Sequence, residues 1–119
     1  MYQIIFNSIS SAEMSALPKL LQLEILDEFQ IFDPNFIQQS EEKFGIVQQG
    51  SRKVYRYRAK DYRIYFELTD GGLLIDRVLH KNTVKDFLYR SKIPLSEDET
   101  LQKNPKFWAL MDESKSKPT

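Results

Sequence analysis

The chain has no cysteine, one histidine, one tryptophan and four glycines among its 119 residues. Without thiols there are no disulfides and no thiolate chemistry, and a lone histidine excludes a multi-histidine metal centre. The absence of cysteine suits a reducing compartment. No segment approaches the roughly 20 consecutive apolar residues that a membrane-spanning helix needs. The N-terminal MYQIIFNSISSAE has no basic stretch leading into an apolar one. The expectation is a soluble, unprocessed, cytoplasmic protein with no membrane partner, no metal and no cofactor. At this length the chain forms one domain around a single moderate core, so function must sit on the surface or in a shallow cleft.

Neither sign of charge dominates, because 17 Lys and Arg balance 17 Asp and Glu. The balance hides an asymmetry along the chain. Residues 1–50 carry 2 basic and 7 acidic side chains, residues 51–92 carry 11 and 5, and residues 93–119 carry 4 and 5. The middle segment is therefore basic, a candidate footprint for phosphate or another polyanion, although such a layout also occurs in proteins that bind none.

Residues 2–6, YQIIF, read as a first strand. Ser10 and Glu13 have capping-box spacing and Pro18 suits a helix start, which predicts a short helical turn near 11–16 and a longer helix over about 18–31. Leu21, Ile25, Phe29 and Phe32 fall on one side of that helix. Residues 33–52 are polar, are broken by Pro34, Gly45 and Gly50, and read as connection. Strands follow at about 53–59, 62–69 and 73–80, separated by Lys60-Asp61 and by Asp70-Gly71-Gly72. Of these separators, the one with Asp-Gly is the stronger hairpin signal. Asn82 caps a final helix over about 83–91. The fold class is thus α+β: an N-terminal strand, two helices, a mostly antiparallel three-strand meander and a C-terminal helix, with the helices on one sheet face and the other face exposed. Residues 1–92 form this domain, and residues 93–119 are an extension with one short helix around Phe107, Trp108 and Leu110 before a frayed tail.

The segment VYRYRAKDYRIYFEL, Val54 to Leu68, sharpens the functional question. A two-residue turn at Lys60-Asp61 pairs Arg58 with Arg63, Tyr57 with Ile64 and Arg56 with Tyr65. Alternation then puts Arg56, Arg58, Arg63 and Tyr65 on one face, and Tyr55, Tyr57, Ile64 and Phe66 on the other. Like charges set opposite one another destabilise a sheet. Two readings explain them: a solvated face whose arginine stems cover apolar surface, or a platform of fork-like donors for phosphate oxygens.

This segment, with LLIDRVLHKNTVKDFLYR after it, resembles the RelE/ParE toxin superfamily of bacterial toxin–antitoxin systems. The carriers are the arginine-bearing strand, the Asp-Tyr-Arg entry to the next one, and a strand ending in Val-x-His-basic before the last helix. The order of elements agrees over about residues 1–92. The superfamily contains ribosome-dependent mRNA endonucleases, gyrase poisons and members without established toxicity, so fold alone does not select an activity. In the cleaving branch, basic residues on this sheet bind and polarise the scissile phosphate while a ribose 2′-hydroxyl attacks it. The resemblance implies Arg56, Arg58 and Arg63 as the phosphate-binding, charge-stabilising set, with Lys81 where relatives have a further arginine. An arginine stays protonated, so another group must take the 2′-proton. Phe87 stands where cleaving relatives commonly have a tyrosine. Tyr65 and Tyr89 are substitute phenols, and His80 is either a proton shuttle or a histidine packed at a strand end.

The resemblance implies a toxin that cleaves mRNA on the ribosome and is neutralised by a cognate antitoxin protein; a homo-oligomer is compatible with it. The alternatives are a ParE-like gyrase inhibitor and a degenerate member that only binds antitoxin or RNA. The tail adds a further choice, since NPKFWALMD and the acidic run Glu97 to Glu99 either extend the core or lie across the basic face, and burial of Trp108 decides whether this segment docks.

Overall fold

The computed structural model of the protein describes residues 3–30, 44–88 and 97–116. In chain order the elements are β1 (Gln3–Phe6), α1 (Ser8–Ser15), α2 (Lys19–Gln30), β2 (Phe44–Gln49), β3 (Arg52–Ala59), β4 (Tyr62–Thr69), β5 (Gly72–His80), α3 (Lys81–Leu88), α4 (Glu97–Gln102) and α5 (Pro105–Ser116). The strands form one sheet in the order β1-β5-β4-β3-β2. Strands β2 to β5 make an antiparallel meander, and β1 joins β5 in parallel at the edge. The α+β class is the one expected from the sequence, and the expected elements occur in the expected order, with β2 and a second helix in the extension added to them.

Each hairpin closes on two residues, Gly50-Ser51, Lys60-Asp61 and Asp70-Gly71. Each has one residue in the left-handed region: Gly50 at φ 60°, Lys60 at φ 55° and Gly71 at φ 86°. Glycine enters this region without steric cost, and lysine does not. The β3–β4 register matches expectation, with Arg58 opposite Arg63 and Arg56 opposite Tyr65.

Three local features differ from the sequence reading. Asn7, not Ser10, is the N-cap of α1: its side chain accepts from the Ser10 amide at 2.7 Å, and Ser10 Oγ accepts from the Asn7 amide at 3.1 Å. Glu13 is drawn off to β5, where β1 has ended and an edge amide is open, and it accepts from Val78 N at 2.9 Å and from Arg77. Strand β2 lies inside the stretch read as connection, so the meander has four strands; its six residues are too short and too broken by Gly45 to announce a period. Helix α3 begins at Lys81 directly after β5, with the Lys81 amide donating to Asp61 O. Phe32 and the rest of residues 31–43 lie outside the described residues.

The larger difference is on the second sheet face, which is not exposed. One core, under α1 and α2, contains Leu21, Ile25, Phe29, Tyr57, Ile64 and Phe66. A second core lies on the opposite face, where Val47, Val54, Tyr65 and Leu79 meet Val84, Leu101, Phe107, Trp108 and Met111. Helices α4 and α5 supply most of this cover. Asn104 caps α5, accepting from Lys106 N at 2.9 Å, ahead of Pro105 at its first position. Gln102 Oε1 accepts from Gln48 N at the β2 edge, 3.2 Å away, which shields an edge donor. Among the described residues no helix is long and apolar enough to cross a membrane.

Candidate functional site

A row of residues runs across four strands on the α4–α5 face: Gly45, Arg56, Tyr65 and Arg77, each opposite the next. Arg56 is 2% exposed. Its Nε and Nη2 donate to the two carboxylate oxygens of Asp98 in α4, at 3.1 and 3.0 Å, a fork-to-fork pair. Gly45 makes the pair possible, because a Cβ there would overlap Arg56 Nη2 and Asp98 Oδ2 and lie 2.9 Å from Arg56 Cζ. Tyr65 is fully buried, with its ring edge-on to Phe107 at 5.1 Å.

Two more arginines tie α5 to the sheet. Arg52 meets Glu67 at 3.0 Å and Asp112 at 2.8 Å, and its guanidinium sits 5.1 Å from the centre of the Trp108 ring. Arg77 meets Glu13 at 2.7 Å and Glu113 at 2.8 Å. Burial opposes the charge of both arginines. Glu67 and Asp112 outweigh it for Arg52, and Glu13 and Glu113 for Arg77, so both pKa values stand above the usual one. Trp108 is 5% exposed and donates its ring N–H to Gln102 O at 3.0 Å. The two readings of the tail are therefore both realised: it adds a core and lays acids over arginines.

The expectation of a single exposed cluster of Arg56, Arg58 and Arg63 is thus corrected. Their common face follows from the register, but exposure does not, because α4 and α5 cover the row that contains Arg56. Arg58 and Arg63 lie one row further toward the turn and are half-buried. Arg63 Nη1 donates to Lys60 O and Tyr62 O at 3.3 and 3.1 Å, which aims its guanidinium along the turn.

His80 faces the other way. It is opposite Tyr62, the two rings being perpendicular at 5.2 Å, and its Nδ1 accepts from Asn82 N at 3.1 Å. The Lys81 ammonium meets Asp61 at 3.1 Å. Lys81 holds the exposed Asp61 carboxyl below its usual range, with His80 and Arg63 adding to the effect. The six candidates therefore divide: Lys81, His80 and Arg63 lie near Asp61 at the hairpin end, with Arg58 opposite Arg63, whereas Arg56 and Tyr65 are under the cover. The side chain of Phe87 and the whole of Tyr89 lie outside those described.

Sequence reasoning passed over Gly45, Asp61 and Glu13 as site residues. In the sequence Gly45 reads as a loop breaker, and its one available signal is its place between Phe44 and Ile46. Asp98 belonged to a recognised acidic run, but only the tertiary fold brings it to Arg56.

No family model and no curated protein sequence matches the chain. Among solved structures, its fold is similar to a chain of the toxin–antitoxin complex RelBE2 from Mycobacterium tuberculosis, with 17% identity, 66% of this chain and 96% of that chain covered, and a TM-score of 0.46. It is also similar to a chain of the RelB–RelE antitoxin–toxin complex from Methanococcus jannaschii, with 20% identity, 73% and 99% covered, and a TM-score of 0.46.

Proposed function

We propose that the protein is the toxin-type member of a cytoplasmic toxin–antitoxin pair, one that holds RNA phosphate at the hairpin end of its sheet and does not cleave RNA on the sheet face. The observation that carries this reading is the division of the arginines: Arg56 is closed under α4 in the grip of Asp98, while Arg58, Arg63 and Lys81 remain half-exposed at the turn end. Guanidiniums and an ammonium at one end of the sheet suit phosphate oxygens. Its partners in this reading are RNA and an antitoxin protein.

Cleavage also needs an acceptor for the 2′-proton. The His80 Nδ1 accepts from Asn82 N–H and is not open to take a proton from a substrate hydroxyl. Asp61 is a weak base, because Lys81, His80 and Arg63 favour its ionised form. Tyr65 is buried against Phe107. These groups bind and orient a phosphate better than they move a proton.

With wild-type protein on programmed ribosomes, primer extension should show no new mRNA ends. RNA affinity should fall with salt at a log–log slope of about −0.7 per phosphate contact, and Arg58→Gln, Arg63→Gln and Lys81→Gln together should flatten it by about two units. An unchanged slope would overturn the phosphate reading.

A second reading, ribosome-dependent mRNA cleavage by an opened form, is favoured by one observation. Arg52, Arg56 and Arg77 each meet a carboxylate from α4 or α5, and a phosphate backbone can take the place of such a carboxylate. New mRNA ends appearing with Asp98→Ala and not with the wild type would select that reading.

A further inference from the structure

Helix α2 carries a stripe that the core does not use. Leu21, Ile25 and Phe29 face the sheet and are buried. Leu20, Leu23, Glu24 and Asp27 follow the i, i+3, i+4, i+7 spacing on another side of the helix. Leu20 is 75% exposed and Leu23 52% exposed. Two large apolar side chains held side by side in water are a feature of docking surfaces.

The stripe runs into an open cavity of about 390 Å³ lined, among the described residues, by Glu24, Asp27, Glu28 and Tyr57. Tyr57 comes from β3, is 6% exposed, and is held edge-on by Phe29 at 5.5 Å and Phe44 at 5.0 Å. Its hydroxyl makes no hydrogen bond among the described residues. Burial, then Glu28 and Glu24, push its pKa up to about 12, so the phenol stays neutral and keeps an oxygen able to accept a hydrogen bond. Lys60 Nζ reaches Glu24 at 3.8 Å, but both side chains are mostly exposed, so an incoming cation can replace this contact.

We propose that this face is an interaction surface for a basic segment of a partner protein. A Lys or Arg side chain enters the cavity and donates to the carboxylates and to the Tyr57 hydroxyl oxygen, while an apolar side chain of the same segment packs on Leu20 and Leu23. Three carboxylates in one cavity select a cation. The leucine pair selects a polypeptide over a bare ion, and an aromatic wall suits a guanidinium. The surface lies on the sheet side opposite α4 and α5 and is independent of the phosphate site.

The test uses the full chain and three probes in isothermal titration calorimetry. These are a helical peptide of about 15 residues with arginines and leucines on one face, its counterpart with glutamate in place of arginine, and calcium chloride. The arginine peptide should bind and the glutamate peptide should not. Glu24→Gln, Asp27→Asn and Glu28→Gln together should weaken binding about tenfold, each ion pair contributing a factor of about two. Leu20→Ser with Leu23→Ser should weaken it about fivefold, from lost apolar contact. Tyr57→Phe should weaken it about twofold with no loss of thermal stability, since it removes a hydroxyl without a hydrogen-bond partner among the described residues. Failure of the arginine peptide to bind, equal binding of the glutamate peptide, or unchanged affinity in the triple carboxamide variant would overturn the proposal. Calcium that binds and displaces the peptide would overturn it in favour of a simple cation site.

Discussion

Replacing Asp98 with alanine should cost far more than removing an ordinary surface acid. Arg56 has 3% of its side chain exposed and Asp98 has 20%, so the pair is largely out of water. Deleting one member of a buried pair leaves a desolvated charge and costs about 3 kcal/mol, against about 0–1 kcal/mol for an exposed pair. With an unfolding entropy of about 2.1 cal/mol/K per residue, a loss of 3 kcal/mol lowers the melting temperature of a chain this size by about 12 °C. Gly45→Ala should act in the same direction, because the new Cβ occupies space held by Arg56 Nη2 and Asp98 Oδ2. Arg56→Met with Asp98→Leu should cost less than about 1 kcal/mol, since apolar groups of similar size need no partner. Urea unfolding of the single and double variants, followed by far-UV circular dichroism, measures these differences. The reasoning is refuted by a loss below about 1 kcal/mol for Asp98→Ala, or by a double variant as unstable as the single one.

Three further outcomes are expected. Trp108→Ala should lower stability by about 3–5 kcal/mol in the same assay, because the ring is 5% exposed in the second core; a loss below about 1 kcal/mol would show that α5 is a loose appendage. Lys60→Asn should stabilise the protein by up to about 1 kcal/mol, since asparagine tolerates the left-handed backbone at φ 55° better than lysine; calorimetric melting would detect the rise. The raised pKa of Tyr57 means that the folded state resists ionisation. Stability relative to Tyr57→Phe is therefore unaffected by this group below about pH 10, the ordinary tyrosine value, and falls as pH climbs from there toward about 12. Ultraviolet difference titration of wild type against Tyr57→Phe tests this, and ionisation of Tyr57 at the ordinary tyrosine value would contradict it.

Much of the fold was readable because its determinants are local. Alternation in β3 and β4, the turn residues Asp70-Gly71 and the apolar positions Leu21, Ile25 and Phe29 specify strands, a hairpin and a helix face through short-range sterics and burial. The side-chain parity that joins Arg56, Arg58, Arg63 and Tyr65 followed from the same alternation. Strand β2 escaped because Gly45 has no side chain to reveal which face it serves, and its reason for being glycine lies on two other elements. Asn7 displaced Ser10 as the cap because Glu13 had a stronger demand on it from Arg77 and the open β5 edge.

The sequence alone determined a basic hairpin with its arginines on one face, since period-two alternation is a property of the chain itself. Only the tertiary structure decided which of those arginines meets solvent. Asp98 is 42 residues from Arg56, and Phe107, Trp108 and Met111 gain by burial only when the second sheet face is present to receive them. Contacts over that separation depend on loop closure and on the joint burial of both partners, quantities that no local pattern encodes.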